Sequence, residues 1–90
     1  MDFNMSIAVY PGSFDPITLG HLNIIRRTAA VFDTLYVTVM INSDKNPLFT
    51  SEKRVEFIRR ATSRYKNVKV EDSDDLLVDY MKNIGARVVS

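Results

Sequence analysis

The stretch Tyr10-Pro11-Gly12-Ser13-Phe14-Asp15-Pro16-Ile17-Thr18-Leu19-Gly20-His21 holds a serine, an aspartate and the single histidine of the chain. It reads as a strand end, a tight turn at Gly12 and a helix start. A helix start offers free backbone N–H groups and the positive end of the helix dipole, so the ligand it suits is an anion, above all a phosphate. The glycine spacing is not that of a dinucleotide-binding turn, and no lysine follows as in a Gly-Lys-Ser/Thr phosphate loop. His21 falls in the first turn of the helix, at the same mouth as Ser13. Even as a neutral ring it can donate one N–H to a phosphoryl oxygen, which gathers charge in a phosphoryl-transfer transition state. The plainer alternative is a surface or capping histidine. Asp15 invites a role as general base, but an aspartate in such a turn more commonly braces its loop by accepting backbone N–H bonds.

The elements that position these residues follow from the hydrophobic pattern. Ser6 to Tyr10 is short, apolar and β-rich, and Met1 to Met5 before it reads as a loose end. From Gly20 to Phe32, Leu22, Ile24, Ile25, Ala29 and Val31 recur near helical spacing, with Arg26 and Arg27 opposite. Thr34 to Ile41 is a β-branched run with few polar breaks, as expected of a central parallel strand covered on both faces. Asn42 to Phe49 is a loop, after which Thr50 or Ser51 caps a helix running to about Tyr65, with Val55, Ile58, Ala61 and Thr62 inward. Asn67 to Glu71 alternates as a strand. Asp74 to Ile84 is a third helix with Leu77, Val78, Met81 and Ile84 inward, Gly85 its cap and Arg87 to Val89 a last strand. This β-α-β-α-β-α-β order predicts an α/β fold, a Rossmann-like parallel sheet with helices on both faces. Ligands of such sheets sit beyond the carboxyl ends of the strands, which brings the loop 11–21 together with the loop 42–49.

Composition narrows the partners. Twelve Lys and Arg against 11 Asp and Glu give a net charge of +1, so no global field draws the chain to nucleic acid or an anionic membrane, and a phosphate site must be local. The chain has no cysteine, which excludes disulfides, thiolate metal sites and a cysteine nucleophile and fits a reducing cytoplasm. No apolar run approaches the roughly 18–20 residues of a membrane span. The 90 residues, 46% hydrophobic and 26% charged, have the make-up of one small globular domain with a modest core.

Pro11-Gly12-Ser13-Phe14-Asp15-Pro16 followed by Thr18-Leu19-Gly20-His21 resembles the signature of the nucleotidyltransferase superfamily. Its wording is more similar to the phosphopantetheine adenylyltransferase family than to the cytidylyltransferases or the nicotinamide mononucleotide adenylyltransferases. Asn42 to Thr50, with Glu52, Lys53 and Arg54, resembles that family's second substrate loop and the start of its next helix. Asp74 to Tyr80 resembles its third helix. Carried over position by position, the resemblance implies that Ser13 and Phe14 meet ATP, and that Ser13 also meets the incoming phosphate. It implies that His21 steadies the reacting phosphates. Lys45 would bind the phosphopantetheine phosphate and the transition state, and Leu77 would lie beside the pantetheine arm. Read as residues alone, Lys45 is a solvated loop lysine, Leu77 is core, and Phe14 is a plug as readily as a contact.

The activity implied is transfer of the adenylyl group of ATP to 4′-phosphopantetheine, giving dephospho-coenzyme A and pyrophosphate, in coenzyme A biosynthesis. Magnesium would ride on the triphosphate rather than on a dedicated protein site. The family also implies a cytoplasmic homo-oligomer, a hexamer. A phosphate monoester has its second pKa near about 6, so the nucleophile is already ionised at neutral pH and no general base is required. The family's chain is longer than this one: an Arg-Gly loop after the fourth strand, a later Glu and a Ser-rich loop complete its ATP site. Against that pattern the sequence stops at Ser90 as an incomplete half of the fold, and activity of these residues by themselves is left open. An uncovered last strand is expected to expose apolar surface and to favour association. The alternatives are a cytidylyltransferase or nicotinamide mononucleotide type of enzyme, or a catalytically silent fragment that binds phosphate or oligomerises.

Overall fold

A computed structural model describes residues 6–41 and 46–89. The expected loose end at Met1 to Met5, the residues Asn42 to Lys45 and Ser90 lie outside the described residues. The elements are β1 (Ile7–Gly12), α1 (Leu19–Ala29), β2 (Thr34–Met40), α2 (Ser51–Ala61), β3 (Val68–Ser73), α3 (Asp75–Asn83) and β4 (Arg87–Val88). The four strands form one parallel sheet in the order β3-β2-β1-β4. The β2 run, apolar on both faces, is indeed a central strand, and the fold is the α/β arrangement that the pattern predicts.

The sheet is covered on both faces, as alternation along the strands requires. Ala8 and Tyr10 of β1 join Leu35, Val37, Val39 and Val70 beneath Ile25 and Ala29 of α1 and Val55 and Ile58 of α2. Val9 faces the other way, against Met81 of α3 and Ala86, with Ile7, Tyr36 and Leu77 packed around them. Val9, Ile25, Leu35, Val37, Val39 and Ile58 are all but sealed from water. Each contributes about 1.5–3 kcal/mol by its burial, which makes this the seam that fixes strand register.

Register also makes the carboxyl edge level, because Gly12 pairs Val39 and Val39 pairs Asp72. The loops after β1, β2 and β3 therefore leave from one line across the sheet. Neighbouring strands lie about 4.8 Å apart, so β1 and β3 are separated by roughly 10 Å.

Several boundaries differ from the sequence expectation for physical reasons. β1 runs on through Pro11 and Gly12, which pair Thr38 and Val39. Ser6 O accepts from Thr34 on the β2 side and Val9 O accepts from Val89 on the β4 side. The odd positions thus face β4, and β4 pairs β1 only at Ala8 and Val9. The N–H that proline lacks at position 11 would point away from β2, so the β1–β2 ladder runs on past the proline. Helix α1 ends at Ala29 rather than Phe32, because the N–H groups of Val31 and Phe32 both turn back to Thr28 O. Val31, expected inward, is 75% exposed. Helix α2 stops at Ala61, where the buried Thr62 hydroxyl donates to Ile58 O. In α3 Met81 is buried but Ile84, also expected inward, is 58% exposed at the C-cap. Gly85 then adopts a φ of 99°, the left-handed value a side chain would disfavour.

Candidate active site

Helix α1 begins with a reciprocal cap. The Thr18 hydroxyl accepts from the His21 N–H at 3.2 Å, and His21 Nδ1 accepts from the Thr18 N–H at 3.0 Å. Threonine at the N-cap satisfies a donor that the helix cannot, and here histidine returns the bond as a Glu or Gln does in the usual capping box. The pairing has a chemical consequence. A backbone N–H can only donate, so Nδ1 is the acceptor and the neutral ring carries its proton on Nε2. The helix cap therefore selects the tautomer that leaves Nε2–H as the donor.

The ring is held sideways as well. Phe14 is 3% exposed and stands edge-to-face with His21 at 5.0 Å and with Tyr10 at 5.1 Å between ring centroids. Phe14 has a φ of 47°, a left-handed conformation that costs a non-glycine residue about 1–2 kcal/mol. Burial of its ring offsets that strain. Gly12 is required beside it: a Cβ there would meet the Phe14 ring at 3.0, 3.1 and 3.3 Å. The Phe14 side chain is thus part of the core that steadies His21, and what the residue turns to the loop is its backbone. Tyr10, at the base of this stack, is pushed above its ordinary pKa by burial.

Asp15 does accept backbone N–H bonds, but from the second loop rather than its own. Oδ2 accepts from Leu48 N at 2.7 Å and Oδ1 from Phe49 N at 2.9 Å. Arg54 completes the junction, with Nε donating to Phe49 O at 3.1 Å and Nη1 to Ser13 O at 3.0 Å. Ser13 follows β1 directly and is half-buried. The two loops are therefore brought together at the carboxyl edge, with Ser13, Phe14 and His21 on the first. Lys45 belongs to the sequence of the second loop and lies outside the described residues.

Leu77 lies in the first turn of α3, whose N-cap Asp74 accepts from Leu76 and Leu77 N–H. It packs in the smaller core and lines a hollow of about 360 Å³ with Ile7, Tyr36, Glu71, Tyr80, Met81 and Ile84. A hollow of about 470 Å³ lies at the other end of the molecule, where the carboxyl end of α2 meets the start of β3. Its position opposite the loops separates it from the site. Among the described residues no group of three or more His, Asp or Glu side chains stands together as a metal cage would require. No helix among them is long and apolar enough to cross a membrane.

Residue-level reasoning passed over Arg54. The signal was present: it lies four residues before Ile58 and eight before Thr62, on the inward stripe of α2, and it is 4% exposed.

Residues 9–89 match the model of the cytidylyltransferase-like family. Over 85 residues the chain is 53% identical to the phosphopantetheine adenylyltransferase of Heliobacterium modesticaldum, covering 94% of this chain and 51% of that protein. The protein of the same name from Clostridium kluyveri is 55% identical over 85 residues, covering 94% and 52%. That from Limosilactobacillus reuteri is 56% identical over 82 residues, covering 91% and 47%. The chain spans about half the length of the curated relatives it matches. The capped His21 at a helix start beyond a parallel strand and the match over residues 9–89 agree, and the chain belongs to the cytidylyltransferase-like family.

Proposed function

We propose that this chain forms the first half of a phosphopantetheine adenylyltransferase, which transfers the adenylyl group of ATP to 4′-phosphopantetheine. The observation that carries the reading is the His21 cap: Nδ1 accepts from the Thr18 N–H, which leaves Nε2–H as the free donor at a helix start. A phosphate oxygen of 4′-phosphopantetheine attacks the α-phosphorus of ATP. The bond from that phosphorus to the bridging oxygen breaks, and pyrophosphate leaves with the electron pair. The nucleophile is already an anion, so the protein's task is to align the two reactants and meet the growing oxyanion charge. His21 Nε2–H donates to that charge, Ser13 and the loop backbone hold phosphate oxygens, and Lys45 adds a positive charge from the second loop. Leu77, in the first turn of α3 against the Val9 side of the sheet, gives an apolar wall for the pantetheine arm. Magnesium enters this reading with ATP, as the metal complex of a substrate rather than as a resident metal.

The setting we assign is the cytoplasm, and the assembly a homo-oligomer. Leu76, Tyr80 and Ile84, spaced four apart along α3, are 76%, 60% and 58% exposed, and Val88 on the edge strand β4 is 37% exposed. Such an exposed apolar stripe favours association. The reading is tested by following pyrophosphate release from the full polypeptide with ATP and 4′-phosphopantetheine, and with CTP or nicotinamide mononucleotide in their places. Release with ATP and phosphopantetheine alone is expected. Turnover only with CTP, or only with the mononucleotide, would reassign the substrate within the superfamily.

A further inference from the structure

Four hydrogen bonds close the described parts of the two loops at the carboxyl edge into a ring. Asp15 on the first loop takes the N–H groups of Leu48 and Phe49 on the second. Arg54, in the first turn of α2, takes the carbonyls of Phe49 and Ser13. Neither charged group pairs with the other; each is directed at backbone across the gap. Among the described residues Arg54 has no carboxylate within ion-pair distance, although it is 4% exposed. Burying a guanidinium against two carbonyls is a poor route to stability, because an apolar side chain of like volume fills such a place at lower desolvation cost. What the guanidinium does that a leucine cannot is donate in two directions from one rigid plane. The carboxylate likewise accepts two adjacent N–H groups, and charge-assisted bonds of this kind are the stronger class.

We propose that Asp15 and Arg54 are positioning residues that clamp the two loops into one unit and so fix the distance between the two reacting phosphates. This rests on the adenylyl-transfer reading, in which Ser13 and His21 on one loop and Lys45 on the other serve the reactants. Lys45 is three residues before Leu48, at most about 11 Å of extended chain, so the anchor on Leu48 and Phe49 bounds where that lysine can reach. In-line attack tolerates little error: a misplacement of about 1 Å lowers the rate by as much as about a hundredfold.

The test is a double-mutant cycle of Asp15→Asn and Arg54→Lys in the full polypeptide, read by steady-state kinetics and by amide exchange at Leu48 and Phe49. Asparagine keeps the shape but accepts with one oxygen only. Lysine keeps the charge but loses the planar two-way donor. Each single variant is expected to lower kcat by about ten- to a hundredfold while remaining folded. The double variant should be scarcely worse than either, because the ring needs opening only once. The Leu48 amide should exchange faster even in Arg54→Lys, although Arg54 does not touch it. Wild-type kcat in both folded variants overturns the proposal, as does an additive cycle in which kcat falls only with the folded fraction. Absence of adenylyl transfer by the wild-type polypeptide sinks the functional reading instead. The exchange data then decide the clamp alone: unchanged Leu48 protection in Arg54→Lys rejects it.

Discussion

Replacing His21 by Asn separates the two jobs the structure gives this residue. Asn Oδ1 can occupy the place of Nδ1 and still accept the Thr18 N–H, now at 3.0 Å, so the cap, worth about 1 kcal/mol, is kept. What is lost is Nε2–H and the edge-to-face contacts with Phe14 at 5.0 Å and Tyr10 at 6.4 Å. The aromatic pairs contribute about 0.5–1.5 kcal/mol each, the more distant one at the low end, so the fold should weaken by about 1–2 kcal/mol. Loss of a donor to transition-state charge costs more, about 2.7–4 kcal/mol, or roughly 10²–10³ in kcat. The variant should therefore be well folded, bind substrates nearly normally and turn over slowly. His21→Ala should match it in kcat yet be less stable, because alanine also gives up the cap. Urea denaturation and steady-state kinetics on wild type and both variants supply the comparison. If Asn restores kcat to within about threefold of wild type, against the hundredfold expected from donor loss, His21 acts through the helix cap and not on the phosphate.

The remaining predictions concern the scaffold. Gly12→Ala drives a methyl to 3.0 Å from a Phe14 ring that is 3% exposed and confined by Tyr10 and His21. The urea midpoint should fall by the equivalent of about 1–3 kcal/mol, and an unchanged midpoint would mean the ring has room to withdraw. Tyr10 is raised above its ordinary pKa by burial. Its contribution is thus fully present below about pH 10 and is lost as the pH rises through the folded value. Wild type should lose more melting temperature than Tyr10→Phe between about pH 8 and 11, the range in which a phenol titrates. Parallel alkaline limbs would contradict this. Sedimentation of the full polypeptide at tens of micromolar should show an oligomer; a cooperatively folded monomer would count against the assigned assembly.

The order of elements was legible because each apolar run carries its own period. Thr34 to Met40 is apolar on both faces, as only a central strand can be, and Thr50 and Asp74 announce the helices they cap. Element ends were not, since they are set by partners distant in sequence. Pro11 and Gly12 read as a turn, yet β2 holds them in the ladder, because the N–H that proline lacks lies on the side away from β2. Ile84 keeps helical spacing with Met81 but falls at a C-cap, where the chain turns away from the core. At the site, the placement of His21 in the first helical turn was readable. Its tautomer was not, because that depends on a bond to Thr18 N–H that spacing alone does not dictate. Arg54 entered only as part of a segment resembling the family, and its role was missed: an arginine on an inward stripe is ordinarily discounted, and the two carbonyls that justify it belong to the loops after β1 and after β2.

The most direct test of the account is product identification when the full polypeptide meets ATP, magnesium and 4′-phosphopantetheine. Mass spectrometry should find dephospho-coenzyme A and pyrophosphate in equal amounts, formed more slowly but with the same identity by His21→Asn. Pyrophosphate without dephospho-coenzyme A, or no product from a folded wild-type protein at saturating substrates, would contradict it.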